Sequence, residues 1–448
     1  MNQSGENFTR AIVVAVMMCL LVGCGTKVTL MPTPVLYQDG RVDLYKDLPA
    51  DLQTSNLDVF YATDRSPKGA ADNREYSNGV EQQLRLGKAT VQFGENENWD
   101  DLVKTSVANP REKDLVLKPT RAVEMGVLSS GRNFADATQL SAGERAFADA
   151  INQALGRVIQ KEICIYVQGF RDDFDGSVAV AAELRHYLGR RQVVVAYAWP
   201  CRQRLINYTG DVNRAKKSAP NLARLIEFLA AQTHAEHINV LGYSAGATLV
   251  VDGMVALRRN HLDLDEKGLQ ERLRVGNVVL AAADVDARHF VKNQLVSVTA
   301  IPKYVAITIS ENDKAMGMAA KLRGGSSRLG RPDIDDLTPA EVEDVAKQTK
   351  LYAIDVSAVK GPHSESQGIG GHGYWYTNPW VSSDILCTLV WQVPPDQRGL
   401  VRIPGRFGWT FPDDYPDRVH EIVSKQVELL RTKNAAPTST PSISRGMP

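Results

Sequence analysis

Between residues 162 and 357 short apolar runs alternate with amphipathic stretches. ICIYVQ (163–168), QVVVAYAW (192–199), HINVLGY (237–243), NVVLAAA (277–283), YVAITIS (304–310) and LYAIDVS (351–357) are almost continuously apolar. That is the pattern of strands buried on both faces. Between them lie GSVAVAAELRHYLG (176–189), a long segment with Leu222, Leu225, Ile226 and Leu229 at helical spacing, and AGATLVVDGMVALRR (245–259). Strands alternating with helices predict the α/β class, a mostly parallel central sheet with helices on both faces.

The flanks are less regular. DVFYAT, starting just after Leu57, and LRLGKATVQF (84–93) read as strands. Residues 141–160 read as a helix on Ala146, Phe147, Ile151 and Leu155. These form an N-terminal extension (57–160) of a domain spanning 57–432, closed by an amphipathic helix at 417–431 with Val419, Ile422, Val423, Val427 and Leu430 on one side. Residues 433–448 are small and polar with three prolines, and predict a disordered tail. At the other end, residues 11–22 form an apolar run of 12, short of the roughly 20 needed to cross a bilayer. Arg10 before the run and small residues after it are the layout of a secretory signal over 1–23.

The signal ends in Leu21-Val22-Gly23-Cys24, which resembles the bacterial lipoprotein box. The resemblance implies that Cys24 is lipid-modified and becomes the mature N-terminus, holding the protein to a membrane in the cell envelope. Residues 24–56, with Pro32 and Pro34, then read as a lipidated tether. Gly25 rather than Asp after the cysteine implies the outer membrane if the source is Gram-negative. The alternative is an ordinary secreted protein.

Composition narrows the rest. The 43% hydrophobic and 23% charged content of the 448 residues excludes disorder throughout. Lys+Arg and Asp+Glu both number 52, so there is no general pull toward nucleic acid. Beyond the signal, Cys164, Cys201 and Cys387 are an odd number with no CxxC, so neither a disulfide framework nor a metal site is expected. Cys164 lies early in its strand and Cys201 just past the end of the next. In parallel neighbours with aligned ends they stand on the order of 20 Å apart at ~3.3 Å per residue. A disulfide needs Cα atoms within about 7 Å, so both are expected free.

Candidate chemistry begins at Gly242-Tyr243-Ser244-Ala245-Gly246, a G-x-S-x-G sequence between an apolar strand and an amphipathic helix. There a serine occupies a strained strand-to-helix turn that projects its hydroxyl over the sheet edge. Gly242 and Gly246 are needed because a side chain would collide with the neighbouring strand or helix. The bland alternative is a turn serine in an ordinary crossover. A serine hydroxyl becomes a nucleophile only when an oriented base takes its proton, and in such folds the order is Ser, acid, His. Of the histidines after Ser244, His261 and His420 fall on helices. His372, in GGHGYWYTNP, follows the last strand in a glycine-rich loop, with His363 in reserve. For the acid, Asp313 follows strand 304–310 and Asp284 follows strand 277–283, both at the carboxyl edge where such sites form. Asp313 is preferred, although either could be a cap or turn residue. Backbone N–H groups of Phe170, after Gln168-Gly169, and of Ala245 would bind an oxyanion. Tyr374, Trp375, Tyr376 and Trp380 either wall an acyl pocket or simply pack their loop.

VFYATDR, VQGF, AWP (198–200), GYSAG, LAAADVD, ISENDKA and GHGYWYTNP together resemble the α/β-hydrolase superfamily. More closely they resemble a bacterial family of α/β hydrolases of unassigned function, over about residues 57–430. The resemblance implies the α/β-hydrolase fold and a nucleophile, acid and base at Ser244, Asp313 and His372. Gln168 stands where that family usually carries a His of mainly structural role. The expectation is a lipid-anchored serine hydrolase acting on an acyl substrate, an ester first, with no metal or cofactor. The alternatives are a serine peptidase or a non-catalytic envelope scaffold on the same fold.

Overall fold

The apolar runs of the sequence lie in the middle of one large sheet. In the computed structural model, which describes residues 27–40, 42–129, 131, 134–202, 208–359 and 371–435, it contains twelve strands. They are β1 (Val28–Thr29), β2 (Asn56–Lys68), β3 (Glu75–Phe93), β4 (Val116–Leu128), β5 (Glu162–Val167), β6 (Val193–Tyr197), β7 (His237–Tyr243), β8 (Val275–Ala281), β9 (Tyr304–Ile309), β10 (Leu351–Asp355), β11 (Val401–Arg402) and β12 (Trp409–Thr410). The order across the sheet is β1-β4-β3-β2-β6-β5-β7-β8-β9-β10-β12-β11. From β2 to β12 every neighbouring pair is parallel, and the β1–β4–β3–β2 end is antiparallel. The signal segment, Cys24 and His363 lie outside the described residues.

The main helices are α1 (Trp99–Val107), α2 (Ala142–Arg157), α3 (Phe174–Tyr187), α4 (Tyr208–Gln232), α5 (Ala245–Asn260), α6 (Lys314–Leu322), α7 (Pro379–Trp391) and α8 (Tyr415–Ala435). Side chains alternate across each strand. Ile163, Ile165 and Val167 of β5 therefore face a core built with α2, α4 and α5. Cys164 and Tyr166 face a second core built with α3, α7 and α8. The sheet is covered on both sides, as the unbroken apolar runs predict.

Four readings change. The segment 24–56 is folded from Val28 onward rather than a free tether. Val28 pairs with Leu117, and Leu36, Tyr37, Leu44 and Tyr45 are buried in the second core. Its apolar residues lack a regular period because they sit in short turns that follow the shape of α3. The poorly patterned region after residue 95 holds α1 and the 13-residue β4. Lys118, Pro119, Arg121 and Glu124 break the alternation there, which a strand near the sheet edge tolerates. In α2 the buried face is Phe147, Ala148, Ile151 and Leu155, and Ala146 points to solvent. The last helix continues to Ala435, past the point where the tail was expected to start. No helix of the described residues is long and apolar enough to cross a membrane.

The topology creates one privileged place. β6 lies on one side of β5 and β7 on the other, so the chain changes direction there and leaves a crevice at the carboxyl ends of β5 and β7. α5 starts at that crevice and is pressed onto β5. A Cβ added to Gly246 would stand 2.3 Å from the Gln168 carbonyl oxygen and 2.5 Å from that of Val167. Both are backbone atoms that cannot swing aside.

Two outcomes follow from this packing. Gly246→Ala should lose about 1–3 kcal/mol, the usual cost of overpacking, read as a lower urea midpoint; an unchanged midpoint would show that α5 can move away freely. In the sheet register Cys164 pairs with Val194, which leaves Cys201 seven residues further along. Cys164, Cys201 and Cys387 are buried free thiols, and burial pushes them up, Cys201 to about 11. In a chain starting after Cys24, Ellman's reagent at pH 8 should find three thiols after unfolding and essentially none before. A Cys164–Cys201 bridge on peptide mapping would contradict the register.

Candidate active site

β7 ends at Tyr243 and α5 starts at Ala245, so Ser244 alone makes the turn. Its backbone has φ 54° and ψ −121°, a region that residues with a side chain rarely occupy and that costs on the order of 1–3 kcal/mol. Three hydrogen bonds hold it. The Ser244 N–H donates to the Ala281 carbonyl at 2.9 Å, and the Ser244 carbonyl accepts from Ala247 N at 3.0 Å and Asp284 N at 3.2 Å. A serine at this helix position ordinarily uses its hydroxyl to cap the first turn. Ser244 makes no such bond, and the turn directs its Oγ elsewhere.

The hydroxyl meets His372. Ser244 Oγ and His372 Nε2 are 2.8 Å apart, and His372 Nδ1 is 2.7 Å from Asp313 Oδ2. Asp313 is fully buried, and its other oxygen accepts from Met316 N at 2.9 Å, capping α6. A carboxylate accepts only, so Nδ1 carries the hydrogen and Nε2 is left to accept the Ser244 proton. The residues of the preferred sequence assignment thus meet in one hydrogen-bonded chain, although they lie far apart in sequence. Asp313 is also the helix cap of the bland alternative; its two oxygens do both.

The His372 loop is held from behind. Tyr374 OH is 3.0 Å from Thr308 Oγ1, and Trp375 packs between the rings of Tyr166 and Tyr243 at 5.9 Å from each. Trp380 packs against Tyr415 with ring centroids 5.6 Å apart, tilted by 36°. Tyr374, Trp375 and Trp380 are buried, so they pack the loop and do not wall a pocket; Tyr376 is half-buried against Tyr243. At the far end of α7, Gln192 and Asn239 donate to the Leu389 carbonyl at 3.0 and 3.2 Å. α7 is thereby tied to the opposite edge of the sheet.

The loop after β5 lies against Ser244. A Cβ on Gly169 would stand 2.8 Å from the Tyr243 ring and 3.3 Å from Ser244 Cβ. This brings Phe170 beside the first turn of α5, whose leading N–H groups, Ala245 among them, have no acceptor within the helix. Gln168 is buried and structural. Its side-chain amide donates to the Asp172 and Trp199 carbonyls, both at 3.1 Å, and its backbone carbonyl accepts from Trp199 Nε1 at 2.8 Å. Its Gly neighbour and backbone shape the site, as the resemblance implies.

Asp284 is close to Ser244 but is not the partner of His372. Its carboxyl accepts from Tyr208 OH and faces Arg328 Nε at 3.4 Å and Arg323 Nη1 at 3.7 Å. Burial pushes this carboxyl up, against the pull of Tyr208 and the two guanidiniums. Sequence reasoning missed Tyr208, Arg323 and Arg328. The available signal was RGGSSRLGR (323–331), three arginines in a glycine-rich loop directly after α6. His261 follows the far end of α5 and pairs with Glu227 at 3.1 Å; a cavity of ≈ 410 Å³ lies there, about 24 Å along the helix from Ser244. Among the described residues no His, Cys, Asp and Glu group could hold a metal ion.

No curated protein matches the chain. Among solved structures, a lipase-esterase related protein from Clostridium acetobutylicum is 11% identical and aligns over 52% of this chain and 95% of its own, with a TM-score of 0.27. A candidate cell-surface hydrolase from Lactobacillus plantarum is 10% identical over 44% of this chain and 81% of its own, with a TM-score of 0.26. Scores this low carry no argument about this chain. A family assignment does: residues 143–388, more than half the chain, match the family described as alpha/beta hydrolase of unknown function (DUF900). With its mostly parallel sheet, the helices on both faces and the turn at Ser244, the chain belongs to this α/β-hydrolase family.

Proposed function

We propose that the protein is a serine hydrolase that cleaves an acyl bond, most naturally a carboxylic ester. The observation that carries this is the unbroken hydrogen-bond chain Asp313–His372–Ser244 on a strained turn. Ser244 Oγ attacks the carbonyl carbon while His372 Nε2 takes its proton. The negative charge on the carbonyl oxygen is met by the N–H groups of Phe170 and Ala245, and α5 adds the positive end of its dipole. As the tetrahedral centre collapses, His372 gives its proton to the departing alcohol. Water, deprotonated in turn by His372, then releases the acid and restores Ser244. Asp313 keeps the imidazole in the right tautomer and stabilises the imidazolium.

The proposal includes a lipid at Cys24, motivated by Leu21-Val22-Gly23-Cys24. Since the fold begins at Val28, only about four residues separate the lipid from it, at most roughly 14 Å of chain. The anchor would hold the domain against the envelope membrane rather than on a long leash.

A fluorophosphonate probe should label the wild type and spare Ser244→Ala. Asp313→Asn should lower kcat on an activated ester by about 10³–10⁴ with circular dichroism unchanged, because Asn reverses the hydrogen bond to Nδ1. Asp284→Asn leaves the Asp313–His372–Ser244 chain in place and should lose less. The reverse ranking would move the acid to Asp284, and a wild type that never labels would favour a binding scaffold. For the anchor, intact-mass analysis of the mature protein should find an acylated N-terminal Cys24, absent in Cys24→Ala. An unmodified chain starting elsewhere would remove the lipid from the proposal.

A further inference from the structure

Among the described residues four arginine side chains are almost completely buried: Arg65, Arg190, Arg328 and Arg398. Three are matched. Arg65 donates to Asn78 Oδ1 and the Asp172 carbonyl, both at 2.8 Å. Arg190 donates to the carbonyls of Leu52 and Thr54 at 2.6 and 2.7 Å. Arg398 grips Asp384 at 2.7 and 3.3 Å. Arg328 is the exception. It is 1% exposed, yet its Nε, Nη1 and Nη2 make no hydrogen bond among the described residues, and nor does the buried Nη1 of Arg323. Asp284 Oδ1, itself buried without a hydrogen bond, pairs electrostatically with both, at 3.4 Å from Arg328 Nε and 3.7 Å from Arg323 Nη1, and Asp286 Oδ2 lies 3.9 Å from Arg328 Nη1; one carboxylate oxygen at such distances cannot fill all the N–H groups of two guanidiniums. Asp286 caps a short helix with Oδ1, through His289 N, and its Oδ2 is beyond hydrogen-bond reach of Arg328. Buried donors without acceptors are rare in folded proteins, and a cluster of them needs an explanation.

Position supplies one. Asp284, between the two arginines, donates its N–H to the Ser244 carbonyl at 3.2 Å, and its own carbonyl accepts from Thr248 of α5 at 2.6 Å. Tyr208, which donates to the Asp284 carboxyl, packs edge-on against Phe170 at 5.5 Å. The guanidiniums therefore adjoin both the Ser244 turn and the expected oxyanion loop. Two planar forks with free N–H groups are the standard protein receptor for a carboxylate or a phosphate.

We infer that Arg323 and Arg328 form an anion subsite of the Ser244 site, so that the acyl substrate carries a carboxylate or phosphate group near the bond that is cleaved. This rests on the hydrolase reading for the word substrate, but the subsite itself can be tested without turnover. The anion takes up the N–H donors that the protein leaves unfilled, while Asp284, itself held by Tyr208, keeps the two guanidiniums in place. An uncharged ester would leave those donors buried and unmet.

The test is calorimetry on the full mature chain with glutarate, inorganic phosphate and neutral glutaramide. Wild type should bind one or both anions at least tenfold more tightly than glutaramide. Tighter phosphate binding assigns a phosphorylated substrate, and tighter glutarate binding a carboxylated one. Arg323→Gln, at a partly exposed side chain with no hydrogen bond to lose, should weaken the anion at least tenfold. Arg328→Lys, which keeps the charge but removes the fork, should weaken it less. A saturating anion should also slow fluorophosphonate labelling of Ser244 several-fold in wild type and not in Arg323→Gln. No anion binding in wild type, equal binding by Arg323→Gln, or binding that leaves labelling untouched would each overturn the subsite. Anion binding to a protein that never labels would defeat the hydrolase reading and leave the subsite standing.

Discussion

The close approach of Gly246 to the carbonyls of Val167 and Gln168 is the contact on which the site depends. It sets α5 directly against the end of β5, so the chain leaving β7 has one residue in which to turn. That residue must take a positive φ, and Ser244 does so although it carries a side chain. The strain is small beside the packing that imposes it. Gly242 is closed in as well, with Val250 2.8 Å from where a Cβ would be, so the turn cannot relax toward the helix. Ala282, just after β8, is also left-handed at φ 47°. The two strained residues face each other across the Ser244–Ala281 and Asp284–Ser244 hydrogen bonds. Strain of this kind persists only where its surroundings over-determine it.

The same geometry explains why the Ser244 hydroxyl is free to meet His372. In α2 the corresponding serine, Ser141, spends its hydroxyl on a capping box with Glu144. At Ser244 the reversed backbone points Oγ away from the helix and over the sheet edge. Asp313 resolves a similar competition differently. A carboxylate has lone pairs to spare, so Asp313 caps α6 with one oxygen and holds His372 with the other. The cap ties Asp313 to a rigid element, and α7, anchored at both ends, does the same for His372.

Buried hydrogen bonds mark where the N-terminal segment became part of the fold. His186 of α3 is fully buried and lies 2.7 Å from Ser106 Oγ, and Tyr37 OH donates to the Tyr187 carbonyl at 2.8 Å. Burial, together with the charges of Arg190 and Arg111, holds His186 well below its usual range, so it is neutral and serves as a hydrogen-bonding spacer. Removing residues 28–56 would expose these groups and the apolar face of α3 together. The segment is a structural part of the hydrolase domain.

The sequence by itself determined the class of fold and the place of the site. Strands buried on both faces leave a long apolar signature, and so tight a strand-to-helix turn needs glycines at fixed local spacing, so both are written in neighbouring residues. The order of Ser244, Asp313 and His372 was legible because it follows the order of the strands. Local pattern could not separate Asp313 from Asp284, since both follow a strand of the carboxyl edge. Only the packed sheet decides which carboxylate the His372 loop reaches, and there Asp284 is occupied by Tyr208 beside two arginines. Nor could spacing show that 28–56 is folded, that β4 exists around Pro119, or that Tyr374 and Trp375 are buried. Those outcomes depend on which distant surface covers a given side chain, and that surface exists only once the chain has closed on itself.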